Sequence, residues 1–191
     1  MTVIVGLVDN GTIYMGGDSA GIAGLSKTIR ADEKVFRNGK MLFGFTTSFR
    51  MGQLLRYKFS PPEQTIIGQD DMSYMCCSFI DAVRQCFSGN GFGDKEATNG
   101  GTFLVGFNGV LYRIDSDHQV GISTAGYEAV GCGADLALGA LHATVGFPPE
   151  IRVKRALEAA AAFSAGVSAP FTILKLEGAK KVPGKKRAKV K

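Results

Sequence analysis

Residues 2–24 read TVIVGLVDNGTIYMGGDSAGIAG, and the fold turns on this stretch. β-Branched and apolar residues flank the pair Asn10-Gly11. Such a pair suits a tight primed turn, so the stretch predicts a hairpin of two short strands. The pattern recurs downstream. EKVFRN and KMLFGF stand on either side of Asn38-Gly39, and GGTFLVGFNGVLYRID (100–115) carries Asn108-Gly109 between two further apolar runs.

Between and after these hairpins the period changes. SFRMGQLLRYKF (48–59) places Met51, Leu54, Leu55 and Phe59 at helical spacing. DDMSYMCCSFIDAVRQCF (70–87) puts Met72, Met75, Cys76, Phe79, Ile80, Val83 and Phe87 on one stripe, with Asp70 and Asp71 suited to a helix N-terminus. That stripe reads as core, not as a cofactor box. YEAVG reads as a short strand, ADLALGALHATV as a small-residue helix, and PEIRVKRALEAAAAFSAG as a longer helix beginning at Pro149. SAPFTILKLE returns as a strand. The order permits an α+β protein with two antiparallel sheets face to face and a helix pair covering each outer side.

Composition narrows the function classes. A chain of 191 residues, 45% hydrophobic, is long enough to bury one sizeable core. No signal-peptide pattern or apolar run of membrane-spanning length is present, so a cytoplasmic location is expected. Cys76, Cys77, Cys86 and Cys132 lack C-x-x-C spacing and read as reduced thiols, and His118 and His142 stand apart, leaving a metal site little to build on. The net charge of +5 is concentrated at one end. Seven of the 22 basic residues lie in KKVPGKKRAKVK (180–191), leaving 15 against 17 acidic residues in the rest. The division expected is a folded domain over 1–179 and a basic, disordered tail over 180–191, through which alone nucleic acid would be contacted.

TVIVGLVDNGTIYMGGDSAGIAG followed by ADEKVF resembles the start of proteasome β subunits and of the bacterial proteasome-like peptidase, which are N-terminal nucleophile hydrolases. Those families begin the mature chain with threonine, carry an aspartate in a G-x-D-x-x-x-x-G stretch and place a lysine soon after. The matching residues are Thr2, Asp18 in GGDSAGIAG and Lys34 in ADEKVF, spaced by 16 and again by 16. AVGCGADLALGAL resembles the family's strand-to-helix segment, with Cys132 where a serine usually stands. The resemblance covers about residues 2–176. It implies the four-layer αββα sandwich of the N-terminal nucleophile hydrolase fold.

It also implies a chemistry. A threonine hydroxyl needs a base, and an N-terminal α-amine, with a pKa of about 7.7–8.0, is a base on the same residue. Thr2 would be both nucleophile and base once Met1 is removed. Lys34 would favour the alkoxide, and Asp18 would keep the lysine charged and oriented. Cys132 would touch the amine through a weaker donor than serine.

Two departures accompany the resemblance. TTSFRMG puts Thr47 where the family has the glycine whose N–H serves the oxyanion, a site where glycine can supply φ > 0. AAAAFSAGVSAPF lacks the last-helix aspartate, leaving Ser164 or Ser168 to stand in. By family position, substrate strands would pair near Gly21, Ile22 and Thr47. The implied function is a threonine endopeptidase acting on unfolded polypeptide inside a homo-oligomeric ring, with an ATP-dependent unfoldase as partner and no metal or organic cofactor. A catalytically silent ring subunit and a small-molecule amidase of the same fold are the alternatives.

Overall fold

The computed structural model describes residues 1–93 and 100–178. The basic tail expected over 180–191 lies outside the described residues. Along the chain run β1 (Ile4–Asp9), β2 (Thr12–Asp18), β3 (Ala20–Ala23), β4 (Ser26–Ile29), β5 (Val35–Asn38) and β6 (Met41–Phe45). Then come α1 (Phe49–Tyr57) and α2 (Asp71–Tyr74), the latter continued by a π-helical turn (Met75–Phe79) into α3 (Ile80–Gly89). The remainder is β7 (Phe103–Phe107), β8 (Val110–Ile114), β9 (Val120–Gly121), β10 (Tyr127–Val130), α4 (Ala134–Ala143), α5 (Pro149–Phe163) and β11 (Phe171–Glu177).

The three expected hairpins are present, β1–β2, β5–β6 and β7–β8, each antiparallel. At the first and third, both turn residues take positive φ, 48° and 79° at Asn10 and Gly11, 49° and 80° at Asn108 and Gly109. This is the backbone that a primed turn needs. One antiparallel sheet has the order β10-β1-β2-β11 and a second the order β5-β6-β7-β8-β9; β3 and β4 pair separately.

The two-residue period of the strands divides their side chains between clusters. In β1, Ile4 joins one cluster while Val5 and Leu7 join another. Leu42, Leu104 and Leu111 of the five-stranded sheet meet Ile4, Ile13 and Met15 of the four-stranded one in a single buried cluster. Glycine makes this contact close. A Cβ on Gly44 would sit 2.5 Å from Ile4 Cγ2 and 2.7 Å from Met15 Sδ. The other faces bury Phe43, Phe45, Phe103 and Val105 with α1 and α3, and Val5, Leu7 and Ala129 with α4 and α5.

One expected stripe is corrected. Met72 and Cys76 are exposed, while Tyr74 and Met75 are buried with Phe79, Ile80, Val83 and Phe87. The π-helical turn carries an extra residue per turn, which rotates the inward face away from strict α spacing.

Candidate active site

The first hairpin extends one step beyond its ladder. Asp18 N–H donates to Val3 O at 3.3 Å, and Val3 N–H donates to Asp18 Oδ1 at 3.1 Å. Asp18 is thereby fixed beside the start of β1. Its other oxygen accepts from Ala20 N at 3.0 Å and Ser168 N at 3.3 Å. Lys34 stands immediately before β5, where its carbonyl accepts from Phe45 N at 3.1 Å. The sheet contact thus carries the lysine side chain to the first strand.

Lys34 Nζ has three donors and uses all three. They reach Thr2 Oγ1 at 2.6 Å, Asp18 Oδ1 at 2.8 Å and Ala20 O at 2.7 Å. Lys34 is 1% exposed, Asp18 2% and Thr2 4%. Burial pushes the Lys34 ammonium below the ordinary lysine value of 10.5, while the hydrogen bond and charge of Asp18 hold it up. A buried ion pair of this kind loses solvation on both partners, and the extra hydrogen bonds from Val3, Ala20 and Ser168 to the carboxylate offset part of that loss.

The turn between β10 and α4 closes over Thr2 from the other side. Gly133 N–H donates to Thr2 O at 3.3 Å, and the Cys132 thiol donates to the same oxygen at 3.5 Å. Thr2 N–H donates to Cys132 Sγ at 3.3 Å. Gly131, at φ 103°, leaves no room for a side chain, since a Cβ would lie 2.2 Å from Thr2 O. Ser164 Oγ lies 3.6 Å from Cys132 Sγ. Of the two serines considered as stand-ins, Ser164 therefore sits at the thiol, and Ser168 contributes its main chain to Asp18.

Met1 is attached in this structure, and its carbonyl accepts the Thr2 hydroxyl at 2.5 Å. In that state the nitrogen of Thr2 is an amide and has no basic lone pair. A cleft open to solvent is lined by Met1, Thr2, Ile22, Phe45, Thr47 and Phe49, among others. Thr47 adopts φ 67°, so the positive backbone angle that glycine would supply is present with a threonine. Ile22 lines the same cleft as Thr47, whereas Gly21 lies in the β3–β4 pair opposite Thr28.

The residues singled out from sequence as Thr2, Asp18, Lys34 and Cys132 therefore converge on one point. The main-chain partners Ala20 O, Ser168 N and Gly133 N had no side-chain signature to reveal them. Gly131 did have one, the G-C-G repeat ahead of a helix. Among the described residues no three His, Cys, Asp or Glu side chains gather as metal ligands. No helix among them is long and apolar enough to cross a membrane.

No family model matches the chain, and no curated protein matches it in sequence. Solved structures share its fold. BPH from Thiobacillus denitrificans in complex with epoxomicin superimposes with a TM-score of 0.80 at 19% identity, covering 93% of this chain and 100% of that one. The same protein in a second structure gives 0.79 at 18% identity, covering 94% and 100%. Eukaryotic HslV from Trypanosoma brucei gives 0.67 at 18%, covering 92% and 99%. These are proteasome-like structures, and at such identities the likeness is one of fold.

Proposed function

We propose that this proteasome-like fold houses a threonine endopeptidase whose nucleophile is Thr2 after removal of Met1. The observation that carries the reading is the placement of Lys34 Nζ between Thr2 Oγ1 and Asp18 Oδ1, at 2.6 and 2.8 Å, in a buried corner of an open cleft. Met1 is 55% exposed and within reach of an aminopeptidase. Its removal does two things at once. It turns the Thr2 nitrogen into an amine, and it takes away the carbonyl that holds the hydroxyl proton.

The amine then accepts the hydroxyl proton as Oγ1 attacks a peptide carbonyl. Lys34 stabilises the developing alkoxide, and the Thr47 N–H receives the carbonyl oxygen as it becomes an oxyanion. Collapse breaks the C–N bond; the ammonium returns its proton to the departing amine, leaving an ester on Thr2. Water, deprotonated by the same amine, attacks that ester and restores the hydroxyl. The thiol of Cys132, backed by Ser164, positions the amine.

The reading carries further parts. The two sheets and their helices form a four-layer αββα sandwich, supported by the clusters on either face of each sheet. The substrate is unfolded polypeptide, held in extended form between Ile22 on β3 and Thr47. Assembly into a homo-oligomeric ring in the cytoplasm, with an ATP-dependent unfoldase, is supported by the likeness to HslV. A silent structural subunit is the second reading, favoured by Ser164 standing beside Cys132 where a carboxylate would support the amine.

Turnover of unfolded casein separates the two. The wild-type protein is expected to cleave it and Thr2→Ala to lose at least 100-fold in rate with its folding transition unchanged within a few degrees, since in the protein without Met1 alanine deletes the hydroxyl's bond to Lys34 and the nucleophile together. Equal turnover by both proteins would refute Thr2 as nucleophile.

A further inference from the structure

The turn that carries Thr47 is under strain, and the structure shows what holds it. Ser48 N–H donates to Thr46 O at 2.7 Å, a bond that spans one residue. With Thr47 at φ 67°, this is a γ-turn of the positive-φ kind, the rare and strained form. A β-branched residue is the least suited to that backbone region, where glycine is the default. Something must compensate, or the turn would relax and carry its N–H elsewhere.

The compensation lies at Thr102, immediately before β7. Thr102 N–H donates to Thr47 Oγ1 at 3.2 Å, and Thr102 O accepts from Thr46 N at 3.2 Å. Thr102 thus grips the turn at two points, one of them a side chain that glycine would lack. Gly101, at φ 83°, makes the approach possible, since a Cβ there would lie 3.2 Å from Thr47 Cβ and 2.9 Å from Met51 Sδ. On its other side the turn is anchored by Ser48, which caps α1 by accepting from Arg50 N at 3.1 Å and Met51 N at 3.4 Å. The Thr47 N–H itself has no hydrogen-bond partner among the described residues, and Thr47 lines the cleft beside Thr2.

We propose that Thr47 is a positioning residue whose hydroxyl, latched to the Thr102 amide, holds the strained turn that presents the Thr47 N–H to the reacting carbonyl. The inference rests on the peptidase reading for its function but not for its geometry. It assigns this chain a device in which a side-chain latch replaces the conformational freedom of glycine. It also ties the turn that carries Thr47 to the residue preceding β7.

The test compares the full-length wild type with Thr47→Val, Thr47→Ser and Thr47→Gly, in peptide turnover and in hydrogen exchange of the Thr102 amide. Valine keeps the branched shape and removes the acceptor. It is expected to lower kcat by roughly 10- to 100-fold with KM changed less than about threefold, because the donor acts on charge present only in the transition state. Serine, which keeps the acceptor, is expected to restore most of kcat; glycine, which needs no latch, is expected to fall between serine and valine. Exchange at Thr102 should quicken in the valine and glycine proteins alone. Wild-type kcat in Thr47→Val, or a serine protein as slow as the valine one, would overturn the latch. Should the wild type cleave nothing, the peptidase reading fails separately, and the latch is then decided by exchange: Thr102 protection equal in wild type and Thr47→Val would overturn it, and protection lost only without the hydroxyl would support it.

Discussion

Lys34 is the residue on which the chemistry and the stability of the site meet. Its three donors are all engaged, and its charge is held in a place that burial disfavours. The sign of the pH effect follows. The folded protein releases this proton below 10.5, whereas the unfolded chain holds it up to that value. Between the two values the unfolded state binds more protons, so the contribution of this group to stability rises with pH across that window and is flat below it. On the proposed mechanism activity should move the other way, because an alkoxide at Thr2 would lose its cation as the ammonium deprotonates. The rate of peptide cleavage is expected to fall on the alkaline side before pH 10.5, in a range where circular dichroism shows the fold intact. A rate sustained beyond 10.5 would remove Lys34 from the charge-stabilising role. The convergence of Thr2, Asp18 and Lys34 was legible from sequence through the resemblance to proteasome β subunits, whose threonine, aspartate and lysine they match in spacing. Ala20 O and Ser168 N were not, since main-chain groups leave no trace in residue type. The consequence of Thr47 was half legible. Its position could be matched to a glycine, but the latch joins residues 55 apart in sequence and appears only when β6 and β7 are paired.

At the scale of elements, turn chemistry made the hairpins readable. The Asn-Gly pairs at 10–11 and 108–109 each form the two-residue turn, whereas Asn38 still pairs with Met41 in the ladder and the turn of the second hairpin is Gly39-Lys40. The β3–β4 pair went unread because Ala20–Ala23 and Ser26–Ile29 are short, small or polar, and largely outside the buried clusters; only Gly24, at φ 57°, marks the turn. The two-residue β9 is too short to show a period. In the helix over Asp71–Gly89 the inward face was misjudged at Met72 and Cys76, since a π-helical turn cannot be distinguished from α spacing without the fold that selects it. The β10–α4 connection is the element most sensitive to a single methyl group. Gly131→Ala would set a Cβ 2.2 Å from Thr2 O in a backbone region hostile to side chains. A loss of about 1–3 kcal/mol is expected from the conformation alone, with further loss from the clash, read as a lower midpoint in urea. Gly139→Ala, on α4 with open space around it, should shift the midpoint little or upward. Equal midpoints for the two variants would mean that the connection does not constrain Thr2.

At the scale of the whole molecule, two sheets that meet through Ile4, Ile13, Met15, Leu42, Leu104 and Leu111 bring β1, β2 and β5 to a common end. There the second residue of the chain lies beside a buried ion pair. The fold is shared with BPH and HslV at under a fifth identity, so the architecture persists with more than four residues in five changed. The central claim, that Thr2 becomes a nucleophile and base in one residue, is tested most directly by intact mass spectrometry of the purified protein before and after incubation with a peptide epoxyketone such as epoxomicin, which bonds to both the hydroxyl and the amine of an N-terminal threonine. The expected result is a mass lacking Met1, then one stoichiometric adduct that maps to Thr2 and is absent from Thr2→Ala. A protein that has lost Met1, is folded and assembled, and gains no mass over a panel of such compounds would contradict the claim.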